Sequence, residues 1–246
     1  MGEPMNYGQA AASYAGHRWA LPWKLEPLLM AARALGDGAS VLDVGCGTGD
    51  YLVALHAAEP RHQYYGFDLS PEMVSLARSR CPWAVLEVAD AEITFPAGSA
   101  DIDLVYTVDV LHHIRHYDHF FGESARVLHG NGRLIMITDS DEDIRTRTLA
   151  ELFPTTVALN RHRYPAIEEL LKLAARSGFR LVSRTTARGY IELDERFMQA
   201  LAAKALSELR LISNHEHEVG MARAEALRAR GGKWLSRTTV LECARS

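Results

Sequence analysis

Three glycines at alternating positions, Gly45, Gly47 and Gly49, follow a short apolar run and form the loop of this chain best suited to bind a ligand. Glycine is needed where the backbone takes a positive φ or lies against a ligand with no Cβ between them. Asp43 and Asp50 flank the loop, and two carboxylates would repel a pyrophosphate but suit a cationic ligand. Counted from Gly45, the sixth position is Asp50, so the loop departs from the dinucleotide pattern G-x-G-x-x-G. The loop therefore predicts a site for a positively charged small molecule.

Two more carboxylates follow apolar runs farther along the chain. Asp68 ends the second run, and an acid in that position can accept both hydroxyls of a ribose. The alternative role, capping the next helix, is already filled by Ser70. Asp90 ends the third run; taken alone it would be a solvated turn residue, because Asp is common in turns. Together with Asp68 it predicts a nucleoside site.

A pair of histidines, His112 and His113, follows the fourth apolar run. Imidazole has an ordinary pKa near 6.5, which suits a general base. On the predicted helix their side chains point about 100° apart, so only one can easily face a pocket. The alternative is that one packs in the interior and the other is solvated. His116 and His119 would lie on the same helical face as His112, but we interpret this face as solvated and predict no metal site.

The hydrophobic pattern places these residues on alternating strands and helices. The predicted strands are 39–44, 63–67, 84–88, 102–107, 133–138, 179–186 and 238–244. The predicted helices cover 21–35 and 165–177 and begin near 48, 70 and 109, and a turn over 129–132 introduces the fifth strand. Such alternation predicts a parallel sheet with helices on both faces, whose ligand lies at the carboxyl ends of the strands.

Several sequence blocks resemble the class I S-adenosylmethionine (SAM) dependent methyltransferases. They are VLDVGCGTGD (41–50), YGFDLSP (65–71), VADA (88–91), DIDLVYTVDVLHHI (101–114), ESARVLHGNGRLIMI (123–137) and AASYAGHR (11–18). The resemblance implies an α/β fold: a Rossmann-like, seven-stranded, mostly parallel sheet with helices on both faces and helical cap insertions. It also implies SAM as the cofactor and S-adenosyl-L-homocysteine as its product.

The resemblance assigns expected roles to individual residues. Asp68 would grip the ribose, Leu69 would lie along the adenine, and Asp90 would accept from the adenine amino group. The backbone near Thr107 and Val108 would line the methionine part. The whole expected cofactor-binding set is Asp43, Gly45, Cys46, Gly47, Gly49, Asp50, Asp68, Leu69, Met73, Asp90, Ala91, Thr107, Val108, Tyr14 and Arg18.

On the acceptor side, His113 or His112 would be the catalytic base. Tyr14, Arg161 and Tyr164 are the expected substrate contacts, with exposed charge as the alternative for the last two. Tyr14 and Arg18 are one helical turn apart and can reach a common pocket, although a surface helix is an equal alternative for that segment.

The chain is expected to comprise an N-terminal helical cap (1–38), a SAM-binding core (39–186), and a third part (187–246) with a helical insertion over about 194–230 and the last strand of the sheet. The segments 140–164 and 194–230 are candidates to cover the substrate. For the second, a peripheral role or a dimer face is an equal alternative. The acidic run over 139–143 is interpreted as an exposed loop.

Composition limits the partners. The 246 residues are 48% hydrophobic with a formal net charge of −4, so there is no basic excess to suggest nucleic-acid binding. No apolar run approaches the ~20 residues that span a bilayer, and the first residues do not form a secretory signal. The three cysteines lack paired spacing, which fits a reduced, cytoplasmic protein. We expect neither a nucleic-acid nor a membrane partner, and a homodimer is compatible with the sequence.

The resulting prediction is a SAM-dependent methyltransferase that acts on oxygen or nitrogen of a small molecule. The N-P-P-Y-type motif expected for methylation of adenine or glutamine nitrogen is absent. Two alternatives stay open from the sequence. One is a SAM-binding enzyme of the cyclase type that transfers no methyl group, and the other is a non-catalytic activator subunit.

Overall fold

The sheet of the computed structural model, which describes residues 19–245, has the strand order β3-β2-β1-β4-β5-β7-β6. Its strands are β1 (Ser40–Val44), β2 (Gln63–Asp68), β3 (Val85–Val88), β4 (Ile102–Val108), β5 (Leu128–Thr138), β6 (Phe179–Glu192) and β7 (Lys233–Arg245). The first five run parallel, and β7 is antiparallel to both of its neighbours. The strand order reverses between β1 and β4, so a ligand crevice is expected at the carboxyl ends of these strands.

Helices connect the strands. They are α1 (Pro22–Arg33), α2 (Asp50–Ala58), α3 (Pro71–Arg80), α4 (Tyr117–Val127), α5 (Asp141–Thr146), α6 (Thr148–Leu152), α7 (Thr155–Arg163), α8 (Ile167–Arg176), α9 (Glu195–Ala202) and α10 (Asn214–Ala229). The predicted fold class, a mostly parallel seven-stranded sheet with helices, is confirmed. None of the helices within residues 19–245 is both long enough and apolar enough to cross a membrane.

Each face of the sheet buries a separate apolar cluster. On one face Leu28 of α1 and Leu52 of α2 pack against Tyr106 and Ile137, all fully buried. On the other face α4 and α8 supply most of the cover, with Phe120 among the fully buried side chains. Complete burial of a side chain of this size stabilises the fold by roughly 1.5–3 kcal/mol relative to an exposed one. The helices on both faces thus hold the sheet in place, so the carboxyl ends of its strands keep fixed positions relative to one another.

Two strand predictions need correction. The predicted turn over 129–132 belongs to β5: Ile102 pairs with Leu128 and Leu104 with Arg133, so these four residues bulge opposite a single residue of β4. β6 and β7 are also longer than predicted and pair along almost their whole length. Most of β6 is exposed, so it lacks the apolar pattern by which a buried strand is recognised.

The segments 140–164 and 194–230 pack against one another around a third apolar cluster. Phe153 is fully buried there, and a Cβ added to Gly220 would lie 2.1 Å from its ring, so helix α10 can pack closely only because position 220 lacks a side chain. The predicted exposed loop after β5 is therefore wrong. The segment forms α5–α7, and Ser140 and Asp143 make a reciprocal capping box at the start of α5.

The three expected parts of the chain correspond only partly to the elements of the fold. Helix α1 lies against the sheet, and the expected helical insertion contains α9, a 3₁₀ turn at Ser207–Arg210, and α10. β6 continues through residue 192, so the expected boundary between 186 and 187 falls inside a strand. The expectations for Tyr14 and Arg18 lie outside the described residues.

Candidate active site

The glycine loop after β1 is tied to the neighbouring strand. The backbone N–H groups of Gly45 and Cys46 both donate to the carbonyl oxygen of Phe67, at 2.9 Å each. Gly45 has φ +75°, and a Cβ there would lie 2.5 Å from Val110. Gly47 also has a positive φ, +52°, but no atom lies within 4 Å of where its Cβ would be. Gly45 is therefore required by packing, whereas Gly47 faces open space.

Asp68 stands beside this loop with both carboxylate oxygens oriented by backbone donors. The N–H of Gly47 donates to Oδ2 at 2.9 Å and that of Ser70 to Oδ1 at 3.0 Å. Burial raises the pKa of Asp68, and these donors oppose the shift. A carboxylate oxygen can accept more than one hydrogen bond, so each keeps capacity for one hydroxyl of a diol. The arrangement fits the bidentate ribose contact expected from the sequence.

Asp43 lies below the loop and is almost completely buried. The hydroxyl of Tyr106 donates to its Oδ2 at 2.9 Å. Burial raises the pKa of Asp43 to about 8; the Tyr106 hydrogen bond opposes the shift, and the nearby carboxylates of Asp68 and Asp50 add to it. A cation bound above the loop would favour the ionised form of this carboxyl group.

Other members of the expected cofactor set lie behind the loop. Arg80 binds Asp50 at 2.7 Å, and Thr48 Oγ1 donates to the same carboxylate at 3.0 Å, so the charge of Asp50 is already paired. The side chains of Cys46 and Met73 are buried in the interior. Burial also raises the pKa of the Cys46 thiol. These three positions can shape the loop, but they offer little open surface to a ligand.

The ends of β2 and β3 present apolar side chains to solvent. Leu69, Val88 and Ile93 are 65%, 47% and 68% exposed, respectively, which is unusual for large apolar residues. Asp90 lies among them, next to the half-buried Ala91, and accepts from the N–H of Glu92 at 2.8 Å, so it also stabilises its own turn. This apolar strip beside a carboxylate suits an aromatic base with an amino group.

The end of β4 carries a strained residue and an unpartnered hydroxyl. Thr107 is fully buried, and its Oγ1 has no hydrogen-bond partner within residues 19–245. Val108 is half-buried beside it. Asp109 takes φ +57°, uncommon for a residue with a side chain. Lys24 of α1 binds both of its carboxylate oxygens at 2.7 Å.

The histidine pair lies on a different structure from the one predicted. Leu111–His113 form a single 3₁₀ turn, the chain leaves it at Ile114, and α4 begins only at Tyr117. The predicted continuous helix is therefore wrong, and so is the shared face of His112, His116 and His119. No group of three or more His, Cys, Asp or Glu side chains able to hold a metal ion occurs in the described part of the chain.

The two histidines have different surroundings. His112 is half-buried and its ring stacks on that of Tyr164, with 4.4 Å between centroids and 24° between planes. His113 is exposed, and its ring lies 4.0 Å from that of His112. Arg161 bonds to Asp141 at 2.5 Å in a pair that is more than half exposed, so it stays outside the group around Tyr164.

A buried charge network, defined here as Lys24, Asp109, Asp139, Arg147 and Glu208, lies at the carboxyl ends of β4 and β5. Arg147 bonds to Asp139 and, at 3.2 Å, to Glu208, so it joins the sheet to the helical insertion. Burial raises the pKa of Asp139, against the effect of Arg147 and Lys24. Burial and the carboxylates of Asp139, Glu208 and Asp109 raise the pKa of Tyr164 well above its usual value. Tyr164 thus interacts electrostatically with the network, while its ring stacks on that of His112.

Sequence reasoning missed this network, although two signals were present. Asp109 and Asp139 each follow a strand directly, the same position that drew attention to Asp68. Lys24 is spaced by four residues from the buried Leu28 of α1, so it occupies an apolar position of that helix. No local pattern pointed to Arg147 or Glu208.

Known proteins resemble this chain in sequence and in fold. The family described as "Methyltransferase domain" matches residues 42–136. A malonyl-[acyl-carrier protein] O-methyltransferase of Methylococcus capsulatus is 30% identical over 230 residues, covering 87% of this chain and 82% of that protein. A trans-aconitate 2-methyltransferase of Methylobacterium nodulans is 33% identical over 116 residues, which cover 47% of this chain and 44% of that protein.

Among solved structures, the geranyl diphosphate C-methyltransferase of Streptomyces coelicolor, in complex with its substrate and S-adenosyl-L-homocysteine, superposes with a TM-score of 0.60. The match covers all of this chain and 86% of that one at 14% identity. This degree of likeness shows a common fold.

Proposed function

The chain belongs to the class I SAM-dependent methyltransferases, and from this premise we propose that it transfers the methyl group of SAM to an oxygen atom of a small-molecule acceptor. The observation that carries the proposal is the division of the strand ends into two parts. Carboxylates and an apolar strip occupy the ends of β1, β2 and β3, whereas a half-buried imidazole and a polar network occupy the ends of β4 and β5. Oxygen is favoured over nitrogen because the M. capsulatus relative is an O-methyltransferase.

The residues at the first three strand ends suit SAM. Asp68 would hold the ribose hydroxyls, the apolar strip around Leu69 would take the adenine, and Asp90 would accept from its amino group. Gly47 leaves room for close approach of the ligand. Asp43, beneath the glycine loop, would become negatively charged when the cationic ligand binds. When bound, SAM supplies an activated methyl group on a sulfonium, which leaves as S-adenosyl-L-homocysteine.

On the acceptor side, the ring of His112 would take the proton that the acceptor oxygen loses as it is methylated. Tyr164 stacks on this ring and limits its rotation, so the orientation of the imidazole is set before the acceptor arrives. His113 is exposed and would have at most an indirect role. Tyr14 and Arg18 stay candidate contacts from the N-terminal segment, and the expected homodimer and cytoplasmic location stay predictions.

The first experiment is a calorimetric titration of the protein with SAM and with S-adenosyl-L-homocysteine. We expect micromolar binding to both. The variant Asp68→Ala removes two hydrogen bonds to a charged acceptor and should weaken SAM binding about 100-fold. The matched control is Asp37→Ala, because Asp37 is an exposed carboxylate whose ion-pair partner is the exposed Arg61. A folded protein that binds neither ligand would refute the cofactor assignment.

The second experiment measures transfer of the labelled methyl group to a panel of acceptors with oxygen and nitrogen nucleophiles. Methylation at oxygen would support the proposal, and methylation at nitrogen alone would contradict it. If SAM is consumed and the acceptor is converted to a cyclic product without an added methyl group, the cyclase alternative is favoured. SAM binding without methyl transfer to any acceptor would also favour the cyclase alternative, whereas an activator subunit has no need to bind SAM.

A further inference from the structure

We propose that the acceptor group received at the ends of β4 and β5 is an uncharged hydroxyl, of an alcohol or a phenol, and not a carboxylate. The inference rests on the proposed function and narrows its substrate class. It separates this chain from the two relatives above, whose names specify malonyl and aconitate acceptors, because both of these carry free carboxylates.

The first argument is the balance of charge in the buried network. Lys24 is bound by Asp109, and both ends of the Arg147 guanidinium are occupied by Asp139 and Glu208. The network thus holds two cations and three carboxylates, all largely buried. A carboxylate acceptor moved into such surroundings needs a cation of its own, since burying an unpaired charge is strongly unfavourable.

A third cation, Arg163, reaches the network through two neutral side chains, Asn160 and Ser207. The Arg163 guanidinium donates to Asn160 Oδ1 at 3.5 Å, and Asn160 Nδ2 donates to Glu208 Oε1 at 3.4 Å. The guanidinium also donates to Ser207 Oγ at 3.3 Å, and Ser207 Oγ donates to Glu208 Oε2 at 3.1 Å. With Arg163 included, three cations are matched by three carboxylates, so this group of residues carries no surplus positive charge to pair with an anionic acceptor. The Nε–H of Arg147 has no partner within residues 19–245 and can still donate to a neutral oxygen.

The second, independent argument is a pair of buried threonine hydroxyls near the carboxyl ends of β4 and β5. Thr107 is opposite Met136 across the β4–β5 ladder, and Thr138 lies two residues beyond Met136. Because side chains alternate along a strand, both threonines are on the same face of the sheet. Both are at most 1% exposed, and neither Oγ1 has a hydrogen-bond partner in the described part of the chain.

Buried polar atoms are almost always hydrogen-bonded in folded proteins, so two neighbouring exceptions at a strand end indicate the place of a ligand or of water that a ligand displaces. A threonine hydroxyl both donates and accepts without carrying charge. It therefore matches an acceptor hydroxyl, which also donates and accepts. A carboxylate would find two neutral dipoles here in place of a cation.

The step balances with the groups named. The acceptor oxygen forms a bond to the methyl carbon as the carbon–sulfur bond breaks, and the electron pair of that bond stays on sulfur. The acceptor hydroxyl loses its proton to the imidazole of His112, which passes it to solvent. The products are the methyl ether, S-adenosyl-L-homocysteine and one proton.

One test compares acceptor classes directly in the intact protein, under conditions in which SAM binding has been verified. The carboxylate set is malonyl-CoA, malonyl-[acyl-carrier protein] and trans-aconitate, and the hydroxyl set contains simple phenols, catechols and primary alcohols. We expect methyl ethers from the hydroxyl set only. Turnover of the carboxylates overturns this inference but not the proposed function, whereas turnover of neither set by a protein that binds SAM overturns both. Failure to bind SAM overturns the proposed function instead.

The second test separates a binding role of the threonine hydroxyls from a structural one. Thr138→Val removes an unpartnered hydroxyl at nearly constant volume, so the melting temperature should stay constant or rise. With the best hydroxyl acceptor we expect the KM of the acceptor to rise about tenfold, because that factor corresponds to the free energy of one hydrogen bond. The Kd of SAM should not change in Thr138→Val, because Thr138 is not in the expected cofactor-binding set. Thr107→Val is the corresponding change on β4.

The matched control is Thr156→Val. Thr156 is equally buried, but its Oγ1 already donates to the carbonyl oxygen of Phe153 at 2.6 Å. This variant should lower the melting temperature and leave the KM of the acceptor unchanged. If Thr138→Val and Thr107→Val raise stability and also leave that KM unchanged, the two hydroxyls are merely unsatisfied core atoms and the inference is wrong.

Discussion

The phenolic hydroxyl of Tyr106 donates to Oδ2 of Asp43 at 2.9 Å, beneath the loop that would carry the cofactor. Burial raises the pKa of this carboxyl group to about 8 from an ordinary value of 3.8. A raised pKa in the folded state means that the folded protein holds a proton that the unfolded chain releases. This contribution to stability is complete below about pH 4 and is lost as the pH rises through about 8.

The first prediction concerns proton release on SAM binding. A cationic ligand favours ionised Asp43, so binding at pH 6–7 should release a proton, and affinity should increase as the pH rises toward about 8. Calorimetry in buffers of different ionisation enthalpy measures the release. Asp43→Asn should abolish it, and adenosine, which lacks both cationic groups, should release none. Equal proton release by the Asn variant would assign the proton to another group.

The second prediction compares two glycines with similar backbones. Gly47→Ala forces alanine into a left-handed conformation, at about 1–2 kcal/mol, but the new Cβ meets no protein atom. It should therefore reduce SAM affinity far more than stability. Gly38→Ala is the control, since Gly38 has φ +78° with the same free space but lies in the turn before β1. Titration with SAM and thermal melting of both variants test this prediction. Equal losses of SAM affinity in the two variants would refute the close approach of SAM to Gly47.

The third prediction assigns the base. His112→Gln should lower kcat by about 100-fold or more and remove the acidic limb of the kcat profile against pH, because a positioned general base contributes on this scale. His113→Gln should leave both close to the values of the unmodified protein, since its ring is exposed. SAM binding should be unaffected in the two variants. The reverse pattern would transfer the role to His113.

The fourth prediction tests whether the buried charge network stabilises the fold by linking the sheet to the helical insertion. Arg147→Met leaves Asp139 and Glu208 buried without their cation and should lower the free energy of unfolding by about 3–5 kcal/mol. Arg145→Met removes an exposed pair with Asp141 in the same segment and should cost less than about 0.5 kcal/mol. Denaturant titration measures both. Similar small losses would show that water reaches the network freely.

Much of the proposed cofactor site could be predicted, because each of its residues is recognisable from its neighbours in the sequence. Each acid lies at the end of an apolar run, and parallel strands bring such ends to one edge of the sheet, so Asp43 and Asp68 were expected to meet. The long β6–β7 pair was only partly predicted, because most of β6 is exposed and lacks an apolar pattern. The histidine region was mispredicted as one helix, since helical spacing continues in the sequence across the break at Ile114.

By itself, the sequence determined the order of the seven strands along the chain, the glycine loop and the carboxylates that point to SAM, because contiguous residues and simple periodicities encode all of these. Only the tertiary structure decided which charged side chains meet at the ends of β4 and β5. Lys24 and Asp109 are 85 positions apart, and Arg147 and Glu208 are 61 apart. Such pairs leave no local pattern, because their contact and their burial arise only when helices distant in sequence close over the ends of β4 and β5.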